Sequence, residues 1–431
     1  MNRHELYRPL LERTLENYQV QHLARRYDFG KESLVAQMLV KKINQEMDTA
    51  EKAIGIKRVK PFELYLEAHR QETVLPLFAP VYIEPILKGG GFNQGRALVI
   101  EECLKRLHGV FPEAERTALL KIIDPWSQVR QKGVSRCIDQ VTEEQTNFAQ
   151  QDSACWADFI ESIKPVAPVD RLHVPDISAP GKLLKELTRY VSTEAGHGPT
   201  VARQLVEDVI TLRNICCPRT YELKAGEMPM LVTDVNARLS EDITTRFRRL
   251  TPVIITVLDE KELKGMPQTA PEYLECFKKR LVRVCFEAYR QNGLLTLMEM
   301  QWIFQVSSTR VSKLIRSVQL EHNLVVPTPG TILDAGKSMT HKKVIVGLHL
   351  EGYTVKDIAN ITHHSPRAVD NYIGTYEAVL ILYLFGLSPP LMGRVLKRSI
   401  SLIREHLELA EKVYKDHLEI KTYLQMKGVK V

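Results

Sequence analysis

The apolar positions divide the chain into stretches of different period. Leu6, Leu10 and Tyr18, then Val35, Leu39 and Ile43, recur at helical spacing and predict helix across residues 3–47. The run "FELYLEAHRQETVLPLF" alternates apolar and polar on both sides of a polar centre, which predicts a β-hairpin over Phe62–Phe78. A glycine cluster, "KGGGFNQGR", leads into a helical region that ends near Ile163. The stretch "SIKPVAPVDRLHVPDISAPGK" carries Pro165, Pro168, Pro175 and Pro180 and can sustain no helix, so it reads as a linker or an extended covering segment. Further helix follows, with strands expected at "MPMLVT" and "TPVIITVL". From Pro271 the pattern is helical almost to the end. The expected fold is mainly α: an N-terminal α/β region with a small β-hairpin (1–160), a Pro-rich linker (161–181), a middle α/β region (182–270) and a C-terminal array of helix-turn-helix units (271–431), one of them winged.

That array rests on a register repeated three times. The segments "LTLMEMQWIFQVSSTRVSKLI", "YTVKDIANITHHSPRAVDNYI" and "LSPPLMGRVLKRSISLIREHL" align on Thr296, Thr354 and Ser388. Apolar residues then coincide at Met300, Ile358 and Met392; at Ile303, Ile361 and Val395; at Val311, Val369 and Ile403; and at Ile315, Ile373 and Leu407. Each copy has a serine between its two apolar sets: Ser307, Ser365 and Ser399. Each has a glycine just before its first hydroxyl: Gly293, Gly352 and Gly386. A glycine can take the left-handed conformation that ends a preceding helix, and each hydroxyl can cap the helix that follows. Pro366 suits a first helical turn, where a missing N–H costs nothing. The apolar set would pack two short helices across each other, as in a helix-turn-helix unit. The plainer alternative is an α-helical repeat without nucleic-acid contacts, because a fold does not by itself give a function.

In a DNA-binding unit the start and outer face of the second of these helices enter the major groove. The first copy would present Ser308, Thr309, Ser312, Lys313 and Arg316, with Arg310 beside them and no acid. After it, "NLVVPTPGTIL" sets two short apolar runs around a Pro-Gly turn and suits a β-wing. The second copy would offer Arg367 to guanine and Asn371 to adenine, both bidentately, beside Asp370. Lys356, His363 and His364 fall where its first helix and turn would approach the phosphate backbone. The third copy presents Glu405 and Glu408 beside Ile400, Ser401 and Arg404, so it is expected to be structural or dimer-forming.

Charge distribution sharpens this reading. The chain of 431 residues has a net charge of +7. From Arg290 to Val431 there are 18 Lys and Arg against 12 Asp and Glu, so nearly the whole excess lies in the last third. Basic surface concentrated in one region favours a polyanionic partner, because phosphate contacts release condensed counterions. The longest apolar run, "AVLILYLFGL", is far short of the ~20 residues that span a bilayer, and the charged N-terminus has no apolar signal core. Seven cysteines without a CxxC pair argue against a disulfide framework or zinc ribbon. A cytoplasmic protein without membrane segments is expected.

Other chemistry is weaker. In "GFNQGRA" the spacing from Gly90 to Gly95 fits a phosphate loop, but Arg96 and Ala97 replace the lysine and hydroxyl that would hold phosphate and magnesium, so a glycine-rich surface turn is expected. Cys216 and Cys217 are adjacent, and neighbouring side chains rarely bind one structural zinc, so buried thiols are expected. His363 and His364 lack a ligand partner at characteristic spacing. A metal-dependent nuclease or transposase would need converging carboxylates; Asp234, Asp259 and Glu260 follow apolar runs, but no further partner is apparent. No cofactor, metal or catalytic residue is expected.

"THKKVIVGLHLEGYTVKDIANITHHSPRAVDNYIGTYEAV", preceded by "EAYRQNGLLTLMEM" and "VVPTPG", resembles an uncharacterised prokaryotic family, domain of unknown function 1670, over about Pro271 to Leu409. "LYRPLLERTLEN" is similar to that family's N-terminus. The resemblance strengthens the helix-turn-helix reading and implies no catalytic residue. The expected function is sequence-specific binding of double-stranded DNA, as a transcriptional regulator and possible homodimer. The alternatives are a DNA-targeting component of a mobile element and a non-DNA interaction scaffold.

Overall fold

In this computed structural model the described residues are 7, 9–29, 33–68, 71–77, 85, 88–89, 91–123, 153–163, 181–237, 249–259, 262, 269–322, 324–333, 340–362 and 364–429. The fold is mainly α. Two compact units divide the chain, Met1–Val311 and Ser312–Val431.

In the N-terminal unit, α1 (Leu15–Arg26) and α2 (Leu34–Ala53) precede the predicted hairpin, β1 (Glu63–Ala68) and β2 (Gln71–Pro76). These strands pair antiparallel from Glu63↔Pro76 to Ala68↔Gln71. Helices α3 (Phe92–Leu107), α4 (Glu113–Ile123), α5 (Ser153–Ile163), α6 (Gly181–Ala195) and α7 (Pro199–Cys216) follow. The Pro-rich residues 164–180 lie outside the described residues. Leu39 and Ile43 of α2 share one core with Val191 of α6 and Val206 and Val209 of α7, so segments from both sides of the Pro-rich stretch are built together. The expected surface turn at Gly91–Ala97 is only partly right. Helix α3 begins at Phe92, which places Gly95 inside the helix and buries Arg96.

Both strands expected in the middle region form, as β3 (Glu227–Asp234) and β4 (Leu250–Thr256). With β5 (Gly293–Leu294) they make an antiparallel sheet in the order β4-β3-β5. The long helix α8 (Ala270–Arg290) separates β4 from β5. It begins at a capping box, in which the Thr269 hydroxyl accepts from Glu272 N–H and the Glu272 carboxylate accepts from Thr269 N–H. Charged groups are buried here as pairs, the condition under which buried charge is tolerated. Arg13 bonds Glu299, and Glu51 is held by both Arg58 and Arg213. Burial raises the Glu51 carboxyl's pKa, but the two guanidinium bonds outweigh it and leave the group below the usual range.

The first copy of the register supplies α9 (Leu297–Phe304) and α10 (Ser308–Glu321), and the division between units falls inside α10. The C-terminal unit continues with α11 (Pro329–Ile332), α12 (Thr340–Leu350), α13 (Val355–Thr362), α14 (Pro366–Leu384), α15 (Pro389–Leu396), α16 (Ile400–Val413) and α17 (His417–Met426). Val369 and Ile373, in the first half of α14, pack with Ile358 of α13 and Val344 and Ile345 of α12. Val379, further along, packs with Met392 and Ile403 of α15 and α16. Tyr376 and Leu380 pack with Ile420 and Leu424 of α17, so one helix of roughly 28 Å belongs to three cores. Among the described residues no helix is long and apolar enough to cross a membrane.

The β-wing does not form. Residues 324–328 are neither strand nor helix, and α11 follows them. Val325 and Val326 are fully buried, and Val325 joins the core of α12–α14. Side chains satisfy the backbone that a strand would have paired. Val326 N–H donates to Gln319 Oε1 at 3.2 Å, and Thr331 Oγ1 donates to the Val326 carbonyl at 2.7 Å. The apolar run was core, not an exposed ribbon.

Candidate functional site

The three-copy register is a physical repeat. Each copy places two helices in close succession: α9 and α10 with 305–307 between them, α13 and α14, and α15 and α16 with 397–399 between them. The aligned residues Met300, Ile358 and Met392 are fully buried, as are Val311, Val369 and Ile403. Ile315 and Ile373 are buried as well, with Leu407 packed against the α14–α16 core. Val395 breaks the pattern and is 54% exposed, where its counterpart Ile303 is 2% exposed.

Five of the six expected caps form. Thr296 and Thr354 accept from the N–H groups of Glu299 and Asp357 at 3.2 Å each. Ser307, Ser365 and Ser399 accept from Arg310, Ala368 and Leu402 at 3.4, 3.2 and 3.3 Å. Ser388 occupies its cap position but makes no such bond. Two of the three glycines take the left-handed backbone expected of them, with φ of 94° at Gly352 and 71° at Gly386. Gly293 does not. It lies in β5, and Asn292 takes the left-handed conformation instead, at φ 61°. A Cβ on Gly293 would come within 2.5 Å of Val232 Cγ2 and 2.6 Å of Val253 Cγ1, so that glycine permits the sheet to close.

The proposed contact residues differ in availability. On the first copy Thr309, Ser312, Lys313 and Arg316 are exposed, whereas Ser308 and Arg310 are half-buried. Ser308 N–H donates to Gln301 Oε1 at 3.0 Å, an added N-terminal bond that sequence reading missed. Arg310 is already engaged within the protein. On the second copy Lys356, Arg367 and Asn371 are exposed, with Asp370 next to them. His363 lies outside the described residues. His364 is half-buried, with Nδ1 2.7 Å from the Thr362 carbonyl and its ring edge-on to Tyr372, so it also helps to build the turn. On the third copy Ile400, Ser401, Arg404 and Glu408 are exposed and Glu405 is half-buried.

Four cations of the N-terminal unit are held in buried or part-buried pairs, Arg58 and Arg213 with Glu51, and Arg280 and Arg283 with Glu262. Among the described residues no carboxylate pairs with Lys313, Arg316, Lys356 or Arg367. These four charges face solvent uncompensated, available to an anionic partner.

The acids considered for metal chemistry are not brought together. Thr233↔Leu250 and Glu227↔Thr256 are paired across β3 and β4, which puts Asp234 at one end of the ladder and Asp259 at the other, roughly 20 Å apart. Two-metal sites hold their ions ~4 Å apart. Asp234 instead pairs with Arg249 at 3.2 Å and accepts from Asn236 N–H at 2.7 Å. Glu260 lies outside the described residues. Cys216 and Cys217 are buried free thiols, and burial pushes both up, Cys217 to about 12.

A protein family described as "Protein of unknown function (DUF1670)" matches residues 194–409. The chain belongs to the DUF1670 family. The DUF1670 match includes the whole three-copy register, from Thr296 to Leu407, and the β3–β4 strands before it. No curated protein and no solved structure matches the chain.

Proposed function

We propose that this DUF1670 protein is a sequence-specific DNA-binding protein, acting as a transcriptional regulator through helix-turn-helix units formed by α9–α10 and α13–α14. The observation that carries the reading is the set of exposed, unpaired cations on the outer faces of these two copies, beside side chains able to read base edges. The α13–α14 pair is capped and packed around a buried core, which keeps the ordering cost of binding low.

On this reading the first turns of α14 lie in the major groove. Arg367 donates two parallel bonds to guanine, and Asn371 pairs with adenine. Lys356, at the start of α13, holds a backbone phosphate and sets the register, carrying no sequence information of its own. Lys313 and Arg316 on α10 serve a second contact of the same kind. The third copy, with Glu405 and Glu408 on its helix, does not enter a groove and is available for pairing with a second protomer. Occupancy of a site then blocks or recruits transcription machinery.

Selection of bound duplexes from a random pool tests this directly. A recurring motif, with affinity falling steeply as salt rises, is the expected result. A flat salt response with no enriched sequence would sink the proposal and favour a helical interaction scaffold.

A further inference from the structure

Within the C-terminal unit, α12, α14 and the start of α16 enclose a cleft of about 220 Å³. Its polar lining is Lys342 from α12, Asn371, Tyr372 and Thr375 from α14, Arg398 from the turn before α16, and His406. Two permanent positive charges line it and no carboxylate does. Lys342 Nζ sits 5.5 Å from the centroid of the Tyr372 ring, a cation–π contact that orients the ammonium at the cleft. Arg398 is exposed, and its guanidinium has no ion pair among the described residues. Leu402, in the first turn of α16, also borders the cleft, so the positive end of that helix dipole adds to the same field. Drug-sized ligands occupy pockets of about 300–1,000 Å³, so this cleft suits a single anionic group better than a whole metabolite.

Its place on α14 indicates where that group comes from. Ala368, Asn371, Tyr372 and Thr375 follow one another at i, i+3, i+4 and i+7, one stripe of the helix. Asn371 belongs both to that stripe and to the outer face that carries Arg367. A duplex lying on the outer face would pass its backbone over the cleft.

We propose that this cleft binds a phosphate group, supplied by the backbone of the duplex that α14 reads, with Lys342 and Arg398 as its cationic ligands. The proposal rests on the DNA-binding reading given above. It also assigns the third copy a part in binding through its turn, although the acids on its helix keep that helix out of a groove.

The test uses the full-length protein, the selected duplexes, and the variants Arg398→Ala and Lys342→Gln. Arg398→Ala removes an exposed side chain and should leave thermal melting unchanged, which separates lost binding from lost folding. Each variant should weaken all duplexes alike and lower the slope of log affinity against log salt by about one, with base preference intact. Asn371→Ala should instead change base preference. Ethylating one backbone phosphate near the Asn371 contact should weaken the wild type and add nothing to the loss in Arg398→Ala. A steep wild-type slope unchanged in both variants, with inorganic phosphate failing to raise the wild-type melting temperature, overturns the proposal. If the wild type binds no duplex, the DNA reading falls and inorganic phosphate decides alone. Stabilisation lost in both variants keeps the phosphate site, with a free phosphate compound as its source, and no stabilisation ends it.

Discussion

Gln305 and Lys397 hold the same left-handed backbone, φ 54° and 53°, at the same position of the turn in the first and third copies. Neither is a glycine, so each turn carries a steric cost of roughly 1–2 kcal/mol that the surrounding helices must offset. At Gln305 the side chain repays part of it, because it is fully buried and its Nε2 donates to the Trp302 carbonyl at 2.6 Å. Lys397 is exposed and has no such bond. Lys397→Gly should therefore stabilise the C-terminal unit by about 1 kcal/mol. Gln305→Gly should not stabilise the fold. Denaturant midpoints of the two variants check this.

The caps give a contrast within one register. Ser365→Ala removes the acceptor for Ala368 N–H and should cost about 1 kcal/mol. Ser388→Ala removes no cap bond and should be close to neutral. Equal losses in equilibrium unfolding would mean that the register's hydroxyls act through something other than capping.

Glu51 is the centre of a buried ionic cluster, with side-chain exposure of 8% against 7% for Arg58 and 5% for Arg213. Glu51→Gln removes the carboxylate from Arg58 and leaves Arg213 with Asp48 alone, at 2.6 Å, and should destabilise the N-terminal unit by about 3 kcal/mol. Calorimetry should show this as a large fall in the melting temperature of that unit.

His349, on α12, is held below the ordinary histidine pKa by burial and then by the Lys427 charge, which together outweigh Glu377. Its Nε2 lies 3.2 Å from the Tyr423 hydroxyl. A depressed folded pKa means that the unfolded chain takes up the proton first. The group's contribution is therefore complete above the unfolded value of about 6.5 and is lost as pH falls through the lower folded value. Hydrogen exchange in α12 and α17 should accelerate relative to the rest of the unit as pH drops below about 6.5, and His349→Gln should remove that dependence.

Arg367→Ala tests the proposed base contact. Loss of a bidentate guanine contact should cost about 1–3 kcal/mol and relax preference at one base pair. Uniform weakening on every duplex, with a shallower salt slope, would make Arg367 a phosphate contact instead.

Secondary structure and capping were legible in the order of residues because they depend on neighbours in the chain. A hydroxyl three residues before a free N–H can cap it wherever the helix lies, as five of the six do here, and alternation alone marks a hairpin over Phe62–Phe78, within which Glu63–Ala68 and Gln71–Pro76 pair. The buried positions of the register, Val395 excepted, follow from helical periodicity for the same reason. Tertiary structure decided what periodicity leaves open. The pattern around Val325 fits a wing as well as a core strut, and only the packing of α12 to α14 makes it core. Gly293 reads as a helix stop until the side chains of Val232 and Val253 close on it. Asp234 and Asp259 each follow an apolar run, but the antiparallel register of β3 and β4 puts them at opposite ends. The cleft between Lys342 and Arg398 has no local signature, because one cation comes from α12 and the other from the turn before α16, brought together beside α14. Periodicity determines which face of an element is buried; only the assembled chain decides what that face meets.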